Sequence, residues 1–274
     1  SLAGVKSIPG YNLQIFNEPK LKTRTFASLL IFFGVILVSF NIIGYFHYTE
    51  VSRDNRHLLD TNPENISETA FWNNAYQKND ETLEEYLPRI TSLISNRMLR
   101  IDPTQTKPTV FENWILWAYS NYKGSYEWSE TGRAVRLGGG FCSQHAIVLN
   151  NLLRKQGIDS RILKLQGHVV NEVLVGDNWN VYDSDYNINF HATLQHLENN
   201  PSQVYQAYIE AGASEGTAKN FEAAFATAAD NFRYKKTRSY REEKHYIESA
   251  SLYLVWVIPV LLILLGIKLR ASAS

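Results

Sequence analysis

The chain has 274 residues and an even charge balance, with 27 basic and 27 acidic side chains. That balance excludes the strongly basic face of a nucleic-acid binder, so no nucleic-acid partner is expected. Its one cysteine, Cys142, excludes an intramolecular disulfide framework.

Residues 1–25 are read as a cytoplasmic N-terminal segment. Phe26 to Phe46 (FASLLIFFGVILVSFNIIGYF) then carries no charge and reaches the roughly 20 apolar residues that a helix needs to cross the hydrocarbon core. It is too long for the apolar region of a cleavable signal peptide, and no small-residue cleavage pattern follows it. Asn41 is a polar group within this span, suited to a bond with a second helix. Residues 47–66 are polar and read as a linker. Asn65-Ile66-Ser67 has the form of a glycosylation acceptor.

Helices are predicted next over residues 67–79, with Ser67 as N-cap, over 81–100, and over 111–122. In the second, Leu83, Leu87, Ile90, Ile94 and Leu99 form an apolar stripe, and Pro88 is expected to bend or break it. The aromatic residues of the third (FENWILWAYSNY) are expected in the core. A fourth helix spans 142–156, closed by Gly157. Ser160–Gln166, Val169–Val175 and Asn178–Tyr182 then alternate as strands, with Gly176-Asp177 as a tight hairpin turn. Helices are predicted again over 191–212 and 217–233. This order of helices, antiparallel sheet and helices predicts an α+β domain, extracytoplasmic over 47–249 with its core at about 111–190.

Ala250 to Ile267 (ASLYLVWVIPVLLILLGI) is a second uncharged span, and 268–274 is read as a cytoplasmic tail. Lys20, Lys22 and Arg24 precede the first span, while Lys268 and Arg270 follow the second, which places both termini in the cytoplasm. Arg238, Arg241 and Lys244 crowd the other side of the second span, offset by Glu242, Glu243 and Glu248. Tyr45, Tyr48, Tyr253 and Trp256 sit near span ends, where amphipathic rings settle. The expected site is a membrane, read as a bacterial inner membrane with the main domain in the periplasm or outside the cell.

The chemistry centres on Cys142. The run Gly138-Gly139-Gly140-Phe141 leads directly into its helix. A thiol in a helix's first turn meets unpaired backbone N–H groups and the positive end of the dipole, which favour thiolate, the nucleophilic form. A thiolate also needs a partner base, and the base an orienting acceptor. His168 opens one strand, and Asp183 ends its hairpin partner. The Gly176-Asp177 turn pairs position 168 with about 185, so Asp183 is a diagonal neighbour on the same face. A carboxylate there fixes the imidazole tautomer and turns the other ring nitrogen toward the thiol. Asp185 shares that face as a second candidate orienter. His145 stands three residues after Cys142, but no second Cys or His pair completes a structural zinc site, so neither metal nor cofactor is expected. Gln144 has nothing to aim it at a reacting carbonyl. His47, His57, His191, His196 and His245 read as surface or linker residues.

Gly140-Phe141-Cys142 before a helix closing at Lys155-Gln156-Gly157-Ile158, then Ser160-Arg161-Ile162, resembles the core of the transglutaminase-like superfamily. His168 opening a strand whose partner ends in Asp183 resembles it too. The resemblance covers about residues 133–187. Val169-Val170 stands where that family often has Ala-Trp, and Ser184 where it often has Pro. The resemblance implies a papain-like, circularly permuted core of one helix and an antiparallel sheet, here with flanking helices and two transmembrane helices. It implies catalytic roles for Cys142, His168 and Asp183 in acyl transfer or hydrolysis of an amide or peptide bond. The expected partners are the membrane and a peptide or protein substrate. The alternative expectation is a non-catalytic, membrane-tethered subunit of an envelope or polysaccharide synthesis or export assembly, bound to another membrane protein.

Overall fold

The computed structural model describes residues 18–46, 66–226 and 231–273. Tyr48, Asn65 and all but the last position of the expected linker lie outside the described residues, as do His47 and His57. The chain forms α1 (Glu18–Phe46), α2 (Glu68–Asn74), α3 (Leu83–Arg97), β1 (Leu99–Arg100), α4 (Val110–Lys123), α5 (Thr131–Leu137) and β2 (Gly139–Gly140). Next come α6 (Cys142–Lys155), β3 (Ser160–Lys164), β4 (Val169–Val175), β5 (Asn178–Asp183) and β6 (Ile188–Thr193). The C-terminal part holds α7 (Leu194–Asn199), α8 (Pro201–Glu210), α9 (Glu215–Ala226), β7 (Phe232–Tyr234), α10 (Thr237–Tyr240) and α11 (Glu242–Ser272). It is an α+β fold.

Local rules explain most boundaries. Ser67 caps α2, its hydroxyl accepting from Ala70 N–H at 3.1 Å. Thr82 and Glu85 form a capping box at the start of α3. Helix α3 continues through Pro88, so of the expected bend or break the break does not occur. The amide that Pro88 lacks would have bonded the carbonyl of Glu84, an exposed first-turn residue whose carbonyl water can serve. Leu99 and Arg100 leave the helix to pair, in parallel, with Gly139 and Gly140. Gly157 closes α6 with φ +77°, the left-handed geometry of a helix C-terminus.

The sheet has the order β6-β5-β4-β3-β7 and is antiparallel throughout. Helix α6 packs on one face, meeting Ile162, Val169 and Val173. Helices α7, α8 and α9 cover the other, around Leu163, Val170, Val181, Ile188, Phe190, Tyr208 and Phe225. Two edge strands replace predicted helix. Residues 191–193 belong to β6, where Ile188 and Phe190 turn inward together with the two-residue period of a strand. Residues 232–234 form β7 against β3. The aromatic residues of α4 also depart from expectation: Leu116 is buried, but Phe111, Trp117 and Tyr122 are exposed. Helix α4 lies between the domain and α1 and α11, so only part of its surface meets the core. Phe111 stacks edge-on against Phe40 of α1, with centroids 5.1 Å apart.

Helices α1 and α11 pair along their lengths and are long and apolar enough to cross a membrane. Only 17% and 22% of their most apolar stretches lies buried, so among the described residues most of that surface has no protein cover. Arg24 Nε donates to Ala273 O at 3.1 Å, which fixes the pair as antiparallel. Gly34 lets α1 approach closely: a Cβ there would stand 2.6 Å from Ile263 Cγ1. Asn41 is buried and donates from Nδ2 to Val255 O at 2.6 Å. Pro259 has no N–H to offer the carbonyl four residues before it, and that carbonyl is Val255 O. Asn41 supplies the missing donor.

Candidate active site

The glycine run before Cys142 is held rather than loose. Leu99 N–H donates to Gly138 O at 2.8 Å and Ile101 N–H to Gly140 O at 3.1 Å. Gly138 (φ +71°) ends α5, whose last carbonyls receive the buried Arg97 guanidinium: Nε to Val135 O at 2.8 Å and Nη2 to Arg136 O at 3.1 Å. Gly140 must be glycine, because a Cβ would meet Gln144 Cβ at 2.6 Å. Gln144 bonds Trp128 twice, accepting from its N–H at 2.6 Å and donating to its O at 2.9 Å, and so is turned to the protein rather than to a substrate. Phe141 caps α6 without a side-chain bond, and Cys142 takes the first helical position, partly exposed. The Gln144 and His145 amides bond Phe141 O at 2.7 and 3.3 Å, whereas those of Cys142 and Ser143 precede the first intrahelical bond.

Strand β4 pairs with β5 in the register Asn171↔Tyr182. Extended by three residues, it sets position 168 opposite 185, as the hairpin turn predicted. His168 Nε2–H donates to Asp183 Oδ2 at 2.8 Å. Asp183 also accepts from Tyr208 OH at 2.6 Å and, on Oδ1, from the backbone N–H of Asp185 at 2.9 Å and of Tyr186 at 3.4 Å. The His168 ring lies against Phe221, with centroids 4.2 Å apart, and edge-on to Tyr186 and Tyr208. Burial alone would depress His168. The charge of Asp183, its hydrogen bond and the neighbouring Cys142 reverse that and raise the ring to about 10. Burial likewise opposes the Asp183 charge, but the His168 cation and four hydrogen bonds hold its carboxyl below the usual range. Tyr208, buried against that carboxylate, is pushed well above its ordinary value.

The second ring nitrogen, His168 Nδ1, is buried and has no hydrogen-bond partner. Beside it stand Cys142 and Asp185: a donor atom from each of Cys142, His168 and Asp185 lies within 4.8 Å of the others. Among the described residues, then, Cys142, His168 and Asp183 come together, and the hydrogen bond to the ring belongs to Asp183. Asp185 is displaced toward the sulfur. Its carboxylate is fully buried with neither oxygen hydrogen-bonded, at 3.6 Å from Arg100 Nε and from His145 Nδ1. His145 stays outside the cluster, its nitrogens facing Phe141 O at 3.2 Å and Met98 O at 2.9 Å.

Sequence reasoning missed Tyr208, which lies in a helix 25 residues from Asp183, and missed Glu127. Buried beneath the start of α6, Glu127 accepts from Ser143 Oγ, Arg241 Nη2 (2.9 Å) and Lys244 Nζ (2.6 Å). Burial works against its charge, yet the two cations hold its carboxyl below the ordinary range. Glu248 of α11 similarly takes Tyr126 OH at 3.0 Å and the N–H groups of Ser129 and Glu130 at 2.8 and 3.1 Å. The long C-terminal helix and its approach are thus bonded to the segment that presents Cys142. Comparison of the chain with family models, with curated proteins and with solved structures finds no match.

Proposed function

We propose that this chain is a membrane-anchored cysteine enzyme of transglutaminase-like type, acting on an amide or peptide bond outside the cytoplasm through Cys142, His168 and Asp183. The observation that carries this reading is the bond from His168 Nε2 to Asp183 at 2.8 Å, with Nδ1 left unpartnered in a cluster with the only thiol. In this reading the Cys142 sulfur attacks the substrate carbonyl carbon. A thioester forms, the carbon–nitrogen bond breaks, and the departing amine takes the proton carried by the His168 ring. Water, or a second amine, then attacks the thioester, gives its proton to His168 and frees the sulfur. The amides at the start of α6, including that of Cys142, are the donors for the oxyanion. Asp183 fixes the ring tautomer and balances its charge, with Tyr208 holding Asp183 in place. Both termini sit on the cytoplasmic side in this reading, and α1 and α11 cross the bacterial inner membrane.

Because Cys142 is the only cysteine, alkylation of the full-length chain by iodoacetamide at neutral pH reports on it alone. The wild type should react faster than a free model thiol, and His168→Ala and Asp183→Asn should slow it by at least about tenfold. A wild-type rate equal to that of the free thiol sinks the proposal. A second reading, the non-catalytic tethered subunit, draws on the bonds that fasten the domain to α11 through Glu127 and Glu248. Full complementation of a null strain by Cys142→Ala would favour it.

A further inference from the structure

We propose that Cys142, His168 and Asp185 form a reversible binding site for one divalent cation of the zinc class, and that the bound ion blocks the thiol. The blocking role rests on the catalytic reading above; the binding itself does not.

The first observation is the donor set. One sulfur, one imidazole nitrogen and one carboxylate oxygen, all ordinary zinc ligands, converge within 4.8 Å of one another. The sulfur selects zinc-like ions over magnesium and calcium, which take oxygen. The second, independent observation is what these groups lack. Asp185 Oδ1, Asp185 Oδ2 and His168 Nδ1 are all buried with no hydrogen-bond partner. Buried carboxylate oxygens are ordinarily paired or bound to metal, since leaving them bare forfeits their hydration. Arg100 and His145 stand 3.6 Å from Asp185, near enough to balance its charge but outside hydrogen-bond range.

The surroundings also suit a metal. Zinc-bound imidazoles usually donate their other N–H to a carboxylate, which orients the ring. His168 does so to Asp183, and Asp183 is itself held by Tyr208 and two backbone amides. A thiolate and a carboxylate bring negative charge to a 2+ ion, with Arg100 at 3.6 Å offsetting part of the Asp185 share. Three protein ligands leave a fourth position, as in open zinc sites, and Cys142 is partly exposed. With metal–ligand bonds of about 2.0–2.3 Å, tetrahedral donors stand roughly 3.3–3.7 Å apart. A bound ion would draw the three donors closer than 4.8 Å, and among them Cys142 is the least enclosed. Acyl transfer needs the sulfur and Nδ1 free, and the ion occupies both, so metal occupancy and turnover exclude each other.

The test uses the full-length chain in detergent, stripped with a chelator and titrated with Co²⁺, then with Zn²⁺ in competition. The expected result is one equivalent of Co²⁺ with the intense visible bands of tetrahedral coordination and a thiolate charge-transfer band. Zn²⁺ should displace it and protect Cys142 from iodoacetamide. Asp185→Asn should weaken binding by at least about tenfold, and Asp183→Asn by about 10–100-fold. Cys142→Ser, the variant least disturbing to folding, should abolish the charge-transfer band. Failure of the stripped wild type to bind stoichiometrically, or binding unchanged in both Asp185→Asn and Cys142→Ser, overturns the site. Tight binding by a chain whose stripped thiol is unreactive keeps the site and discards the enzyme; a reactive thiol without metal binding does the reverse.

Discussion

Asp183 accepts four hydrogen bonds, which secures a buried negative charge, and that charge favours the protonated form of the His168 ring. The pH dependence follows from the two shifts. His168 is raised to about 10, above its unfolded value of about 6.5. A raised group adds stability that is complete below its unfolded value and lost as pH climbs through the folded one. Asp183 is lowered, so its share is present above its unfolded value of about 4 and lost in acid. The gap in thermal midpoint between wild type and His168→Gln should therefore be widest near pH 5–6 and narrow steadily toward about 10. A gap constant across that range would mean the ring is neutral in the folded protein. At this scale the sequence was legible up to a definite point. The two-residue turn at Gly176-Asp177 set the register, and the register placed His168 beside Asp183. The register alone leaves Asp183 and Asp185 on one face; the resemblance and the nearer strand end favoured Asp183 as the orienter, but nothing indicated where Asp185 goes, because β5 ends at Asp183. Beyond it the chain turns, the two-residue period lapses, and Asp185 swings to the sulfur side.

Among the elements, what positions the nucleophile is the short pairing of β1 with β2 and the close fit of Gly140 under Gln144. Neither has a periodic signature, and two-residue strands give pattern reading nothing to count. The glycines were visible, but their partner, Leu99–Ile101, sits some forty residues earlier at the end of a strong helical stripe. The edge strands β6 and β7 were missed for a related reason: β7 has only three residues, and β6 runs directly into α7, so helical periodicity was carried back across its boundary. Helix α6, by contrast, is buried around most of its circumference from Ser143 to Leu153 and closed by Gly157, and its limits were readable. The fit at Gly140 makes a sharp prediction. Gly140→Ala brings a Cβ to 2.6 Å from Gln144 Cβ, and overpacking of this kind costs about 1–3 kcal/mol. The displaced group is the first turn of α6, so the Cys142 alkylation rate should fall along with the thermal midpoint. A variant as stable and as reactive as wild type would show that this turn tolerates a shift and that β2 does not set the sulfur position.

For the whole molecule, the long C-terminal helix is both a wall of the domain and half of an apolar hairpin. Its first turns and the residue before them place Arg241 and Lys244 on Glu127, so two of the three cations that crowd this end of the second span are bonded to the domain through one carboxylate. The other half of the hairpin is held by the bond from Asn41 to Val255 O. If Asn41 is there because Pro259 leaves that carbonyl without a donor, the two residues must be energetically coupled. Asn41→Leu alone should destabilise the α1–α11 pair by about 0.6–2 kcal/mol, the range for hydrogen bonds between membrane helices. Pro259→Ala restores an N–H to Val255 O, so in that background the same substitution should cost less by at least about 0.5 kcal/mol. Unfolding of the four proteins of this cycle in mixed micelles measures the difference. Strict additivity would mean that Asn41 stabilises the hairpin by some route other than the carbonyl Pro259 frees, and that the proline and the asparagine fell opposite one another independently.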